Sequence, residues 1–392
     1  MQVLSNARRL ARVLNLQVLL NSAVDHKLLL SKVQIGLSQT HHRWRTSNSV
    51  TSRSFHFFYD NYLQTAPQSM CSSTGKAPFS TEAASDESNP TEAVKELYDK
   101  ILESVNVKRS MAPNAWLWSL LENCKNHEDI KLLFNTLENL RRFRLSNLRI
   151  HSNFNCHLCR EVTKACTRAG AIDFGKKALW KHNVYGLTPN IGSANHLLSY
   201  AMERNDVNFM IEVMKLVKKN NIPLQPSTAD IVFSICYNVG NWELISKYSK
   251  RFLKAGVQLR KTAFDAWMDF AVKRGDTESL WRIEKLRSQS MPQHTLVSGF
   301  SCAKGLILEH KIEDAAAVVK VLSQTLSDAK KSGIVVELEK LVSEWPLDVV
   351  KHQPEENREA VVDALKSDIP AVIGSLLNMG LEVDVNLEKL TI

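Results

Sequence analysis

One turn-forming position recurs at a fixed interval through the middle of this chain of 392 residues. Self-similarity at a period of about 35 residues is typical of stacked helical hairpins. A single hairpin cannot bury its own apolar stripe, so neighbouring hairpins must stack into a continuous core. The sequence therefore predicts an all-α fold, an α-solenoid of helical hairpins. The recurring positions, each 35 residues after the last, are Gly170, Asn205, Gly240, Gly275 and His310.

The residues around this anchor keep the same period and predict the core. Positions eight and four before the anchor share one face of a helix that ends at the turn, and the position eight after it belongs to a second helix. At minus eight stand Val162, Leu197, Val232, Trp267 and Cys302; at minus four Cys166, Ala201, Cys236, Ala271 and Leu306; and at plus eight Ala178, Val213, Tyr248, Ile283 and Val318.

The positive charge is concentrated at the start of the chain. Residues 1–59 carry eight basic side chains and one acidic one, which leaves 42 basic and 40 acidic residues for the remainder. A leader rich in arginine and serine and poor in acidic residues is typical of an organelle transit peptide. Residues 1–55 are predicted as a mitochondrial transit peptide that directs the protein to the matrix. Residues 56–89 are predicted as a largely disordered linker.

The rest of the chain divides into three predicted parts. Residues 90–152 hold N-terminal helices with one divergent hairpin. Because that hairpin breaks the period, Arg141–Ser152 is expected to be an inserted loop on one face. Residues 153–331 form the repeat array. Residues 332–392 form a helical cap, in which Pro370 is expected to begin the final helix, ending near Gly380.

The start of one repeat carries a family resemblance. Residues 188–198, TPNIGSANHLL, resemble the opening of a plant pentatricopeptide repeat, and Gln225-Pro226 and Arg260-Lys261 match more loosely. The 35-residue period also favours this family over tetratricopeptide arrays, whose period is 34. The resemblance covers about residues 113–325.

Membership of that family implies single-stranded RNA as the ligand. In such proteins two side chains per repeat read one base. By position, the implied readers are Asn195, Asp230 and Asp265 in the first helices, with Gln225, Arg260 and Thr295 as their repeat-end partners. The pairings match no firm base choice, and an Asp–Arg pair can satisfy itself. Polar residues on a solvated concave face remain the alternative interpretation.

Basic residues offer a second kind of RNA contact, through phosphates. Second helices end in clusters that stacking would align along one edge, although cations are favoured at helix C-termini in any case. The candidate contacts from these clusters are Lys218, Lys219, Lys250 and Arg251. The predicted insertion adds Arg141, Arg142, Arg144 and Arg149, for which ordinary solvation is the alternative.

Signals of catalysis and of metal binding are weak. Cys156 and Cys159 form a C-x-x-C pair without a second ligand pair at zinc spacing, and both are expected to pack in the core. The sequence predicts no enzyme, no cofactor, no metal, no small-molecule substrate and no membrane association. The expected function is a non-catalytic scaffold in a mitochondrial ribonucleoprotein, binding ribosomal RNA and neighbouring subunits as a structural part of the mitochondrial ribosome. The alternatives are a free factor that acts on one organelle transcript and an adaptor that binds protein only.

Overall fold

The computed structural model describes residues 89–147, 150–325, 328–381 and 385–390, and it gives no side-chain positions for 328–331 and 389. Sixteen α-helices and no strand occur in these ranges. The expectations for residues 1–55 and for nearly all of the linker, 56–88, lie outside the described residues. The helices are α1 Glu92–Leu102, α2 Asn114–Asn123, α3 His127–Ser146, α4 Cys156–Arg168, α5 Ile172–Ala178, α6 Ile191–Glu203, α7 Val207–Lys219, α8 Pro226–Asn238, α9 Trp242–Lys254, α10 Lys261–Lys273, α11 Thr277–Ser290, α12 Leu296–Leu308, α13 Ile312–Thr325, α14 Asp328–Ser343, α15 Trp345–His352 and α16 Glu355–Asn378.

The five anchor residues all adopt the left-handed backbone conformation that ends a helix. Their φ angles run from 50° at Asn205 to 71° at Gly275. In every case the backbone amide of the residue after the anchor donates to the carbonyl of the residue four positions before the anchor. The N···O distances are 2.9–3.0 Å. This is the Schellman motif, which satisfies carbonyls at a helix C-terminus. The repeated turn predicted from the sequence is confirmed at all five positions.

The second helix of each central hairpin begins at a side-chain cap next to the anchor. Asp206, Asn241 and Asp276 each accept a hydrogen bond from the backbone amide three residues later, at 2.8–3.0 Å. Caps of this kind satisfy one of the unpaired amides at a helix N-terminus. Anchor and cap together therefore fix where the first helix ends and the second begins.

The predicted core positions are also confirmed. All fifteen residues at minus eight, minus four and plus eight are at most 5% exposed. The first helices α4, α6, α8, α10 and α12 pack directly on one another in that order, whereas successive second helices approach each other less closely. The first helices therefore form the more closely packed layer of the stack.

The predicted insertion, Arg141–Ser152, is a loop only in its second half: residues 141–146 are helical, and the described residues 147 and 150–152 are not. Helix α3 continues without a break to Ser146, because Leu133, Leu137 and Leu140 extend its buried stripe and no glycine or proline interrupts it. The extra residues lengthen the helix, and Arg141, Arg142 and Arg144 lie on its last turns. Arg149 lies outside the described residues.

The C-terminal helices also differ from expectation. Pro370 does not begin a helix but lies inside α16, which ends at Asn378 before the left-handed Gly380. The helix passes through the proline because Ile369 and Val372 are buried on both sides of it, where α16 packs on α13. This packing compensates for the missing backbone hydrogen bond.

The C-terminal helices cover a side of the array. Trp345 on α15 is buried, and its indole nitrogen donates to the carbonyl of Val272 at 3.1 Å. Gln353 donates to the carbonyl of Arg274 at 3.0 Å. These helices therefore lie back on the turn at Gly275, in addition to contacting the last hairpin.

Candidate nucleic-acid interface

The three candidate base readers lie on the first helices α6, α8 and α10 and are all half-buried. Each one bonds to the start of the next first helix. The amide of Asn195 donates to Ser227 at 3.1 Å and its oxygen accepts from Thr228 at 2.8 Å. Both functional groups of this side chain therefore join two neighbouring repeats.

The two aspartates at the same register are engaged in the same way. Asp230 accepts from the Thr262 hydroxyl at 2.6 Å and lies 3.5 Å from an Arg260 nitrogen. Asp265 accepts from the Thr295 hydroxyl at 2.6 Å. Both oxygens of Asp230 and one oxygen of Asp265 are thus in contact with the next repeat.

Burial governs the protonation of these carboxyl groups. Burial raises the pKa of Asp265 to about 6, against the opposing hydrogen bond from Thr295. Burial also raises the pKa of Asp230, with the Thr262 hydroxyl and Arg260 acting in the opposite direction. A raised pKa is the expected result when a carboxylate loses solvation without a full counter-charge.

The repeat-end partners are the residues that precede the first helices. Gln225, Arg260 and Thr295 occupy the N-cap positions of α8, α10 and α12, and only Thr295 caps its helix with its side chain. Gln225 and Arg260 are exposed. Arg260 and Asp230 also line an open groove of about 820 Å³ between the starts of α8 and α10.

The arginines of α3 are largely held by the protein itself. Arg141 donates to the carbonyl of Asn183. Arg144 donates to the carbonyl of His151 at 2.8 Å and stacks on the Phe154 ring at 4.4 Å. Arg142 is exposed and pairs with Glu138 at 2.5 Å. The first two side chains stabilise the loop structure around them.

The basic clusters of the second helices divide into exposed and engaged side chains. Lys218, Lys219 and Lys250 are exposed, as expected for phosphate contacts. Arg251 is half-buried and donates to the carbonyl of Met214 at 3.0 Å. Burial lowers the pKa of Arg251. It acts chiefly as a link between α7 and α9.

A row of lysines at repeat spacing was not selected as a set from the sequence. Lys215, Lys250 and Lys285 stand ten residues after successive anchors, 35 residues apart, on α7, α9 and α11. All three are exposed, and none forms an ion pair within the described part of the chain. We call these three residues the lysine ladder. The 35-residue period was the signal that could have identified it.

The chain segments that carry and flank the lysine ladder lack acidic residues. Four segments contain no aspartate or glutamate: residues 174–202, 213–229, 244–264 and 285–308. Each runs from a second helix into the start of the next first helix. Stacking therefore brings them together along the side where second helices end, which we call the basic edge.

One buried group has metal-ligand atom types, but they are already engaged. Ligand atoms of Glu284, His294 and Cys302 lie within 4.8 Å of one another. Arg287 bonds Glu284 at 2.7 and 2.9 Å and lies 2.9 Å from the Nε2 of His294. The positively charged guanidinium thus takes the place that a cation would need. Burial and Arg287 lower the pKa of His294 to about 3, so its ring is neutral.

The two cysteines of the C-x-x-C pair lie in different environments on one helix. Cys159 is buried, as expected, but Cys156 is exposed at the first position of α4. The prediction of core packing was therefore wrong for Cys156, because the helix begins there and its first turn faces solvent.

No helix in the described ranges has the length and apolar character to cross a membrane.

Comparison with known proteins yields solved structures but no sequence relatives. No protein-family model and no curated protein matches the chain. Two solved structures of the pentatricopeptide repeat protein PPR10 in complex with an 18-nt psaJ RNA element are similar, one of them of a cysteine-to-serine variant. Each is 13% identical, with a TM-score of 0.32 over 76% of this chain.

The match has a limited extent. This chain spans less than half of those proteins, 44% of their length. The hairpin stack is established by the helices, turns and core positions of the chain itself. Both of these solved structures are of one pentatricopeptide repeat protein.

Proposed function

We propose that this protein is a non-catalytic scaffold that binds RNA mainly through phosphates along the basic edge. The observation that carries the proposal is the lysine ladder: three exposed cations at repeat spacing, without ion pairs to any described residue, on segments that lack acidic residues. The three lysines recur once per hairpin along one edge of the stack. Cations repeated along an edge produce a positive potential that adds along a polyanion.

The candidate readers support the same proposal, because their side chains already bond within the protein. Asn195, Asp230 and Asp265 are hydrogen-bonded between repeats. Reading a base edge would require these bonds to break, at the cost of leaving half-buried polar groups unpaired. Phosphate contacts need no such rearrangement, and they carry no sequence information.

The cellular setting that we propose is a mitochondrial ribonucleoprotein, with the ribosome as the assembly and residues 1–55 as the transit peptide. The support is the composition of the leader and the near-balanced charge of the rest. A scaffold that is also held by protein neighbours does not need a strongly basic surface. The alternative is a free factor that acts on one organelle transcript.

RNA binding is tested with a charge-reversal variant and a matched control. The ladder variant carries Lys215→Glu, Lys250→Glu and Lys285→Glu. The control carries the same change at three exposed lysines elsewhere, Lys95, Lys351 and Lys366. We expect the ladder variant to lose RNA affinity and the control to keep most of it, measured by fluorescence anisotropy. Equal losses would refute the assignment of binding to this edge.

The setting is tested by sedimentation of the tagged protein from mitochondrial extract. Co-migration with one ribosomal subunit, resistant to moderate salt, is the expected result. Migration as a small particle that ribonuclease dissociates would favour the transcript-binding factor. Absence of the protein from mitochondria would refute the setting but would leave the RNA-binding surface open to the first test.

A further inference from the structure

An exposed tryptophan stands at one end of the lysine ladder. Trp180 occupies the same register as the ladder, 35 residues before Lys215, and is 37% exposed. Tryptophan combines a large apolar ring with a polar N–H group, and it is enriched at interfaces for that reason. Its position continues the ladder with a flat aromatic ring where the later repeats carry a cation.

The loop that presents this ring is rigidly built. Helix α5 ends at Ala178 and gives way to an irregular loop, whereas α7 in the next hairpin continues to Lys219. Asn183 organises the loop: its amide nitrogen donates to the carbonyls of Trp180 and Leu187 at 2.6 and 2.7 Å. Its side-chain oxygen accepts from two backbone amides at 2.9 and 3.1 Å.

The loop is also fixed to its neighbours. Arg141 on α3 donates to the Asn183 carbonyl, and the backbone amide of Lys181 donates to the Asn220 side chain at 2.9 Å. Ordering a loop costs conformational entropy, which these bonds offset. The backbone that carries Trp180 is therefore held in place before any ligand arrives.

The surroundings of the ring are cationic. The ammonium of Lys219 lies over the Trp180 ring, 4.3 Å from its centroid. Lys177 and Lys181 are exposed nearby in the chain, and no acidic residue occurs between residues 174 and 202. A cation over an indole face is attracted by the ring quadrupole. Such a ring suits a ligand that combines a flat aromatic group with negative charge.

We propose that Trp180 stacks against an unpaired base of RNA whose phosphates follow the basic edge. On binding, the base takes the ring face and Lys219 moves to an adjacent phosphate, so that one cation–π contact is exchanged for a stack and an ion pair. Every base has a π-face, so the contact selects single-stranded RNA without selecting its sequence. This inference rests on the proposed function, which it extends by a preference for unpaired nucleotides.

The test compares three proteins on two RNAs of equal length. The proteins are the full chain, Trp180→Ala and Trp180→Phe; the RNAs are a single-stranded oligonucleotide and a fully paired duplex. We expect Trp180→Ala to weaken single-strand binding about 3- to 30-fold, the difference between a base stack and the cation–π contact that it replaces. Trp180→Phe should recover most of the loss, and duplex affinity should stay unchanged.

The other outcomes separate the possible failures. An unchanged affinity of Trp180→Ala for both RNAs would overturn the stacking proposal while leaving phosphate binding at the basic edge intact. If that variant also no longer co-sedimented with the ribosomal subunit, Trp180 would be identified as a protein contact. Equal losses on both RNAs would also overturn it, since a duplex offers no unpaired base. If the wild-type protein binds neither RNA, the proposed function itself fails.

Discussion

Replacing Gly240 with alanine tests whether the repeated turn determines the fold. Gly240 has a φ of 69°, and a Cβ built on it would meet no atom within 4 Å. The cost is therefore due to the backbone, since a left-handed conformation with a side chain costs about 1–2 kcal/mol. The reduced freedom of the unfolded chain offsets about 0.4–1 kcal/mol of this. We expect Gly240→Ala to lower the free energy of unfolding by roughly 1 kcal/mol.

Gly374→Ala is the matched control. Gly374 lies within α16, its φ is not positive, and its Cβ would also meet no atom within 4 Å. Alanine is favoured over glycine inside a helix by about 0.5–1 kcal/mol, so this variant should be more stable than the wild type. Equilibrium urea unfolding followed by circular dichroism measures both changes. If Gly240→Ala were neutral or stabilising, the left-handed turn would not be the constraint that we infer.

Two further predictions concern the first helices and the core beneath them. Trp267 is buried between repeats, with its ring 5.8 Å from that of Phe233, so Trp267→Ala should cost about 3–5 kcal/mol in urea unfolding. Its indole nitrogen is buried without a hydrogen-bond partner among the described residues, so Trp267→Phe should cost markedly less; equal costs would contradict this. The pKa of Asp265 is raised to about 6, so the folded protein binds the proton of this carboxyl group more tightly than the unfolded chain does. The protonated carboxyl group therefore stabilises the fold at low pH, and this contribution is lost as pH rises through 6. Asp265→Asn should therefore be more stable than the wild type at pH 8 and nearly equal to it at pH 4 in thermal unfolding, and a pH-independent difference would exclude this titration.

The repeat architecture could be predicted from the sequence because two local rules recur together. A left-handed turn favours glycine or asparagine, and the apolar stripe of a helix must face its neighbour. Both signals repeat every 35 residues, so each one supports the other. A second periodic turn, at Asn221 and Gly256, was missed, although both residues are left-handed and end second helices.

The errors arose where tertiary packing overrides a local rule. The residues after Leu140 lengthen α3 because a helix can absorb extra residues without leaving its neighbours. Pro370 stays inside α16 because apolar side chains on both sides of it are buried. Local propensity disfavours proline at such a site, but it does not include the free energy of packing.

The candidate site could be predicted only in part, because sequence position does not show what a side chain bonds. Asn195 stands where a base reader is expected, yet its amide joins Ser227 and Thr228 of the next repeat. Arg251 belongs to a basic cluster but donates to a backbone carbonyl. The exposure and the bonding partners of a side chain depend on how the hairpins stack. They determine which basic side chains can contact RNA.

The salt dependence of RNA affinity tests the phosphate-binding account most directly. For single strands, the slope of log affinity against log salt is about −0.7 for each phosphate neutralised. A neutral ladder variant, with Lys215, Lys250 and Lys285 changed to glutamine, should therefore have a slope smaller in magnitude by about 2. A variant with Asn195, Asp230 and Asp265 exchanged for other polar residues should keep the wild-type slope and the same affinity for different base sequences. An unchanged slope in the neutral ladder variant, together with a large base-dependent loss of affinity in the reader variant, would contradict the account.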